Sequence, residues 1–205
     1  MRRHRFAVRT PPAPPGVRIG LLGGSFNPAH AGHRRLSEIA RRRLGLHRVW
    51  WMVSPGNPLK PTAELAPLAT RLAEARRIAN ARWIEVTAFE ADLGSVYTFD
   101  TLTFLRARYP RAEFVWLMGA DNLATMHRWR AWSRIAETLP MAVIDRPGWH
   151  LRALASPAAR RFAGHRISEA SARKVVAADP PVWTMLTGPL STLSSTAIRA
   201  VRRQN

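Results

Sequence analysis

Short apolar runs alternate along this chain with stretches whose apolar positions recur every three or four residues. Runs at 19–22, 49–53, 83–89, 114–118, 141–144 and 182–186 read as strands. Most are apolar at consecutive positions, as expected of strands covered on both faces. Between them, Leu36, Ile39, Ala40 and Leu44 mark one helix face, and Leu68, Leu72, Ala75 and Ala79 a second. Phe99, Leu102 and Leu105 mark a third, and Trp129, Trp132, Ala136 and Leu139 a fourth. Gly45 suits the residue after a helix end, Pro67 a helix start, Thr98 an N-cap, and Pro110 a stop. The alternation predicts an α/β fold: a doubly wound parallel sheet of strand order 3-2-1-4-5 type, with helices on both faces. The basic, alanine-rich stretch 151–179 and a final helix opening at 193–199 predict a small C-terminal helical part.

In an open sheet of that order, ligands bind outside the carboxyl ends of the strands, where the order reverses between strands one and four. The loops there are Gly23-Gly24-Ser25-Phe26-Asn27-Pro28-Ala29-His30-Ala31-Gly32-His33 and Gly119-Ala120-Asp121. The first is a strand-to-helix turn. Its glycines allow close approach of the backbone, and the free N–H groups of the following helix carry partial positive charge, which suits a phosphate.

His30 and His33 stand three apart at that helix start, so both rings reach one anion. Metal ligation would want a third ligand and the usual four-residue spacing, and general-base catalysis would want a hydroxyl nucleophile. Donation to a phosphate under substitution needs only proximity and an inward N–H. Lys60, after Ser54-Pro55-Gly56-Asn57-Pro58-Leu59, reads either as a surface lysine or as a phosphate contact. Ser194, Ser195 and Thr196 open the last helix as a second anion-binding start, with Arg199 one turn inside, where opposite a polyphosphate it would be a fork of donors.

Composition narrows the class. The 205 residues, 46% hydrophobic and 22% charged, suffice for one substantial core. We expect a single domain over 17–205. Residues 1–16, rich in Arg and Pro, are expected to form a disordered tail. No apolar run could span a bilayer and no signal-peptide centre precedes the first strand, so a cytoplasmic protein without a membrane partner is expected. The absence of cysteine excludes disulfides, thiolate metal sites and thiol nucleophiles. A formal charge of +19 would suit a polyanion, but the basic residues are almost all Arg and spread over the whole chain. No specific nucleic-acid partner is expected from that pattern.

GGSFNPAHAGH and the far SSTAIR together resemble the nucleotidyltransferase superfamily that carries an HxGH motif. VSPGNPLK, VYTFDTL, MGADNL with Trp129, and DRPG are further similar to bacterial nicotinate-nucleotide adenylyltransferases, in order from about Val17 to Arg199. Ser25, Asn27 and Leu193 stand where that family often has Thr, Asp and Ile. The resemblance implies a Rossmann-like domain that transfers the adenylyl group of ATP to nicotinate mononucleotide in NAD biosynthesis, releasing pyrophosphate with magnesium present. It implies that His30, His33 and Arg199 serve catalysis. Gly23, Gly24, Ser25, Phe26, Asp121, Arg146, Ser194, Ser195 and Thr196 would bind ATP, and Asn27, Lys60, Thr98 and Trp129 the mononucleotide. A phosphopantetheine adenylyltransferase shares both phosphate motifs without needing Thr98 and Trp129. A basic nucleic-acid-binding protein on the same fold is the remaining alternative, against which intact His30, His33 and Arg199 speak.

Overall fold

The computed structural model describes residues 8–56, 65–188, 195 and 199. In chain order the elements begin β1 (Arg18–Gly24), α1 (Ala31–Leu44), β2 (Arg48–Val53), α2 (Leu68–Ala79) and β3 (Ile84–Thr87). Then come α3 (Phe89–Leu93), α4 (Thr98–Arg108), β4 (Glu113–Gly119) and α5 (Ala120–Thr125). A 3-10 turn at Met126–Arg128 leads to α6 (Trp132–Thr138) and β5 (Met141–Ile144). The remainder is α7 (His150–Leu154), α8 (Pro157–Arg161), a 3-10 turn at Ala163–His165, β6 (Arg166–Ile167), a 3-10 stretch at Glu169–Val175, and β7 (Trp183–Leu186). The strands form one sheet in the order β3-β2-β1-β4-β5-β7-β6. Every pairing in it is parallel.

Consecutive side chains on a strand point to opposite faces, and here both faces are dry. Leu21, Trp50, Met52, Trp116, Met118 and Val143 pack with α4, α5 and α6 residues such as Leu105, Leu123 and Ile135. Leu22, Trp51, Val53, Leu117 and Ile144 pack with Ile39 and Leu44 of α1, Ala75 of α2 and Val175. This is why the strands read as continuous apolar runs. Gly20 serves the second face: a Cβ there would meet Leu117 and Leu46 side chains at 2.6 and 2.7 Å.

The structure departs from the sequence reading in several places, among them the short strand β6 inside the stretch 151–179 expected to be helical. Residues 8–16 do not form a free tail. Val8 and Ala13 are buried in the core. The Thr10 hydroxyl meets Tyr109 Oη at 2.6 Å, Tyr109 Oη donates to the Pro11 carbonyl at 3.2 Å, and the Gly16 N–H donates to the Arg111 carbonyl at 2.9 Å. Two small apolar side chains and one tyrosine anchor a segment whose prolines leave it little entropy to lose. Thr98 is the first helical residue and not the cap; Tyr97 holds that position, and its N–H donates to Ser95 Oγ at 3.2 Å. Trp129 lies outside any helix, because Ala131 at φ 54° separates the 3-10 turn from α6. The final strand begins at Trp183 and the third ends at Thr87, with Phe89 opening α3.

Candidate active site

A cavity of ≈ 450 Å³ opens at the carboxyl ends of β1 and β4, where the sheet order reverses. The β1–α1 loop forms one wall. His30 is the N-cap of α1 with extended backbone, and its Nδ1 accepts the Gly32 N–H at 3.1 Å. His33 is the third helical residue, and its Nδ1 accepts the His30 N–H at 3.3 Å. Together they make a capping box in which imidazoles replace the usual hydroxyl and carboxylate.

This arrangement fixes the tautomer. A ring nitrogen that accepts a main-chain N–H carries no proton when neutral, so the proton of each ring sits on Nε2. Burial lowers His30 to about 4, with Arg146 adding to the effect. Burial, then His30 and Arg146, lowers His33 to about 3. Both rings are therefore neutral donors near pH 7. They are also held in place, with His30 and His33 centroids 3.9 Å apart, Phe26 4.7 Å from His33, and Trp51 5.2 Å from Phe26. Behind them Trp51 Nε1 donates to Ser37 Oγ at 2.8 Å, which donates to the His33 carbonyl at 2.9 Å.

The opposite wall comes from β4 and its neighbours. Asp121 Oδ2 accepts from Arg146 at 2.8 Å, joining the start of α5 to the turn after β5. Asp121 Oδ1 is buried with no hydrogen-bond partner. Gly119 makes room for that pair, since a Cβ there would lie 2.4 Å from Asp121 Oδ1 and 2.9 Å from Arg146. Gly23 does similar work on the other strand, where a Cβ would lie 2.5 Å from the Trp116 ring. Its glycine is thus demanded by packing as well as by any approaching ligand.

Of the expected residues, Gly23, Gly24, Ser25, Phe26, His30, His33, Thr98, Asp121, Trp129, Arg146 and Ser195 all line this one cavity. Ser195 Oγ donates to the Pro28 carbonyl at 2.9 Å and Arg199 to the Asn27 carbonyl at 2.6 Å, so both residues reach the β1–α1 loop. Asn27 is not among the lining residues; its Oδ1 accepts the Ala66 N–H at 3.3 Å, which points the amide into the protein. Lys60, Ser194 and Thr196 lie outside the described residues.

Several lining residues were not anticipated. Glu90 is buried in the cavity wall, and its Oε1 accepts from the Thr101 hydroxyl at 2.7 Å. Burial pushes its carboxyl up to about 7 against the opposing pull of that hydrogen bond. Arg130 also lines the cavity, stacked 4.5 Å from the Tyr97 ring and 3.4 Å from Asp100. A lone acid after Phe89 and an arginine beside Trp129 carried no pattern that separated them from surface residues. Among the described residues no group of three or more His or carboxylate side chains could hold a metal, and no helix is long and apolar enough to cross a membrane.

The comparisons with known proteins agree with one another. The cytidylyltransferase-like family profile matches residues 21–201. A probable nicotinate-nucleotide adenylyltransferase of Methylorubrum extorquens strain PA1 is 56% identical over 183 residues, 89% of this chain and 99% of the relative. One named alike from Mesorhizobium japonicum is 52% identical over 193 residues, covering 94% of this chain and 99% of its own length. Among solved structures, a Plasmodium falciparum nicotinic acid mononucleotide adenylyltransferase complexed with NaAD aligns with a TM-score of 0.67 at 18% identity. It covers 90% of this chain and 83% of that one, a likeness that speaks for the fold alone. The chain therefore belongs to the cytidylyltransferase-like family, among its nicotinate-nucleotide adenylyltransferases.

Proposed function

We propose that this protein joins ATP to nicotinate mononucleotide, giving nicotinate adenine dinucleotide and pyrophosphate in NAD biosynthesis. The observation that carries this reading is the cavity itself, in which two neutral Nε2–H donors, the Asp121–Arg146 pair and Ser195 face one space. The identity of the acceptor follows the relatives named above, more than half identical over most of this chain.

The 5′-phosphate oxygen of the mononucleotide attacks the α-phosphorus of ATP, and the bond to the α–β bridging oxygen breaks as pyrophosphate leaves. The attacking oxygen is already anionic, so no protein base is required. Catalysis is left to positioning and to stabilisation of charge on the α-phosphate. His30 and His33 supply that stabilisation as fixed, uncharged donors whose orientation is set by the helix cap. Arg199 and the hydroxyls of Ser194 and Thr196 hold the β- and γ-phosphates, and Ser195 joins them by turning its hydroxyl from the Pro28 carbonyl to a phosphate oxygen. Gly23, Gly24, Ser25 and Phe26 approach the nucleotide through main chain, with Arg146, held by Asp121, on the adenine side. Thr98 and main-chain N–H groups beside it receive the nicotinate carboxylate, and Trp129 stacks on the pyridine ring. Lys60 and Asn27 complete the mononucleotide side, Asn27 by holding the loop at Ala66. Magnesium would arrive with ATP and would offset the negative charge of its phosphates. The cytoplasm, where ATP is made and used, is the compartment such a reaction implies.

The test is pyrophosphate release from magnesium ATP with nicotinate mononucleotide, nicotinamide mononucleotide and phosphopantetheine compared side by side. Release is expected to be fastest with the first. No release with it would overturn this reading, and preference for phosphopantetheine would move the chain to the other adenylyltransferase class.

A further inference from the structure

Arg71, in the first turn of α2, is 1% exposed, an unusual state for a guanidinium, and it forms no ion pair among the described residues. Among the described residues its guanidinium makes four hydrogen bonds, all to main-chain carbonyls, from three separate segments. Nε donates to Ala66 at 2.8 Å, one terminal nitrogen donates to both Ser25 and Ser54 at 2.7 Å, and the other reaches Pro55 at 3.4 Å. Ser25 belongs to the β1–α1 loop, Ser54 and Pro55 to the loop after β2, and Ala66 to the approach to α2.

In a trans peptide unit the N–H points opposite to the C=O. The unit whose carbonyl is Ser25 carries the N–H of Phe26, and the unit whose carbonyl is Pro55 carries the N–H of Gly56. Neither unit is among the cis peptides of the structure. Phe26 and Gly56 both line the cavity, and neither N–H has a hydrogen-bond partner among the described residues. The same guanidinium therefore stands behind two peptide planes whose free donors face away from it. Phe26 is held there at φ 46°, a left-handed conformation that a phenylalanine adopts only under external constraint.

We propose that Arg71 is a positioning residue for nucleotide binding: by holding the Ser25, Ser54 and Pro55 carbonyls from behind, it aims the Phe26 and Gly56 N–H groups into the cavity as fixed donors to a bound nucleoside triphosphate. This rests on the cavity being the nucleotide site. Lysine keeps the charge but gathers its donors at one ammonium and cannot reproduce the guanidinium fork that spans four carbonyls, so the two residues are not equivalent here.

The experiment compares the unaltered protein with Arg71→Lys and Arg71→Met, each checked for folding by near-UV circular dichroism. ATP affinity is measured calorimetrically without mononucleotide, and pyrophosphate release is measured with it. For folded Arg71→Lys, a Kd for ATP raised on the order of tenfold and a kcat lowered by a similar factor are expected, from two misaimed donors. A purely structural role would lower Tm and leave both values at those of the unaltered protein, and that result would overturn the proposal. In the unaltered protein, saturating ATP should slow amide exchange at Phe26 and Gly56 by at least about tenfold. Unchanged exchange at both amides would overturn the proposal even if neither variant folds. ATP binding without release of pyrophosphate would count against the reaction assigned above and leave the Arg71 arm standing.

Discussion

At neutral pH His30 and His33 offer an N–H without a charge, because each Nδ1 is engaged by the main chain and burial opposes protonation. Removing one such donor from a transition state costs on the order of a hundredfold or more in turnover. His33→Ala should show that loss in pyrophosphate release with its near-UV spectrum retained, and unchanged turnover would take His33 out of the reaction. Glu90 titrates in the opposite sense. Its folded carboxyl stands at about 7 against an ordinary 4.5, so between those values the folded state holds a proton that the unfolded chain releases. Its contribution is complete below pH 4.5 and is lost as pH rises through 7. The histidines, lowered from 6.5, instead lose stability as pH falls from 6.5 towards 3. Glu90→Gln should therefore gain Tm relative to the unaltered protein progressively from pH 4.5 to 7 and hold that gain above it. A Tm difference that stays flat over the window would mean that Glu90 ionises as an ordinary carboxylate.

Among the elements, those whose residues face apolar surroundings on every side were legible in the sequence. The runs at 49–53 and 141–144 became β2 and β5 with at most one residue of difference, since strands covered on both faces admit no polar position to blur their ends. Gly45 and Asn80 close α1 and α2 in the left-handed region, and only the glycine advertised itself. The stretch from 129 to 139 breaks its own pattern for a related reason. Its apolar spacing fits one helix, but Ala131 adopts φ 54° under tertiary constraint, without glycine or proline to mark the break. That break is what frees Trp129 to face the cavity. Much of the candidate site was legible because its loop carries glycines and histidines in a rare arrangement. Arg71 left a fainter trace, a cation in register with Leu68, Leu72 and Ala75 on the apolar face of α2. Glu90 left none, because a single carboxyl reveals its burial only once α4 is packed over it.

For the whole molecule, the sheet order places the working loops at the carboxyl ends of β1 and β4. The segment 8–16 lies against Tyr109 and Arg111, just before the amino end of β4. The two features occupy opposite poles of the same strands. Deleting residues 1–16 removes the burial of Val8 and Ala13 and the Tyr109 contacts, a loss of roughly 2 kcal/mol. In a protein of this size that corresponds to a fall in Tm of roughly 4–8 °C. The KM for ATP should not change, and a shift in KM of more than about twofold would show that the two poles communicate. That polarity also bears on how the protein can be handled. A support or fusion partner joined ahead of Val8 would grip the molecule on its blind side, with the mouth of the cavity turned outward and its traffic of nucleotides unobstructed.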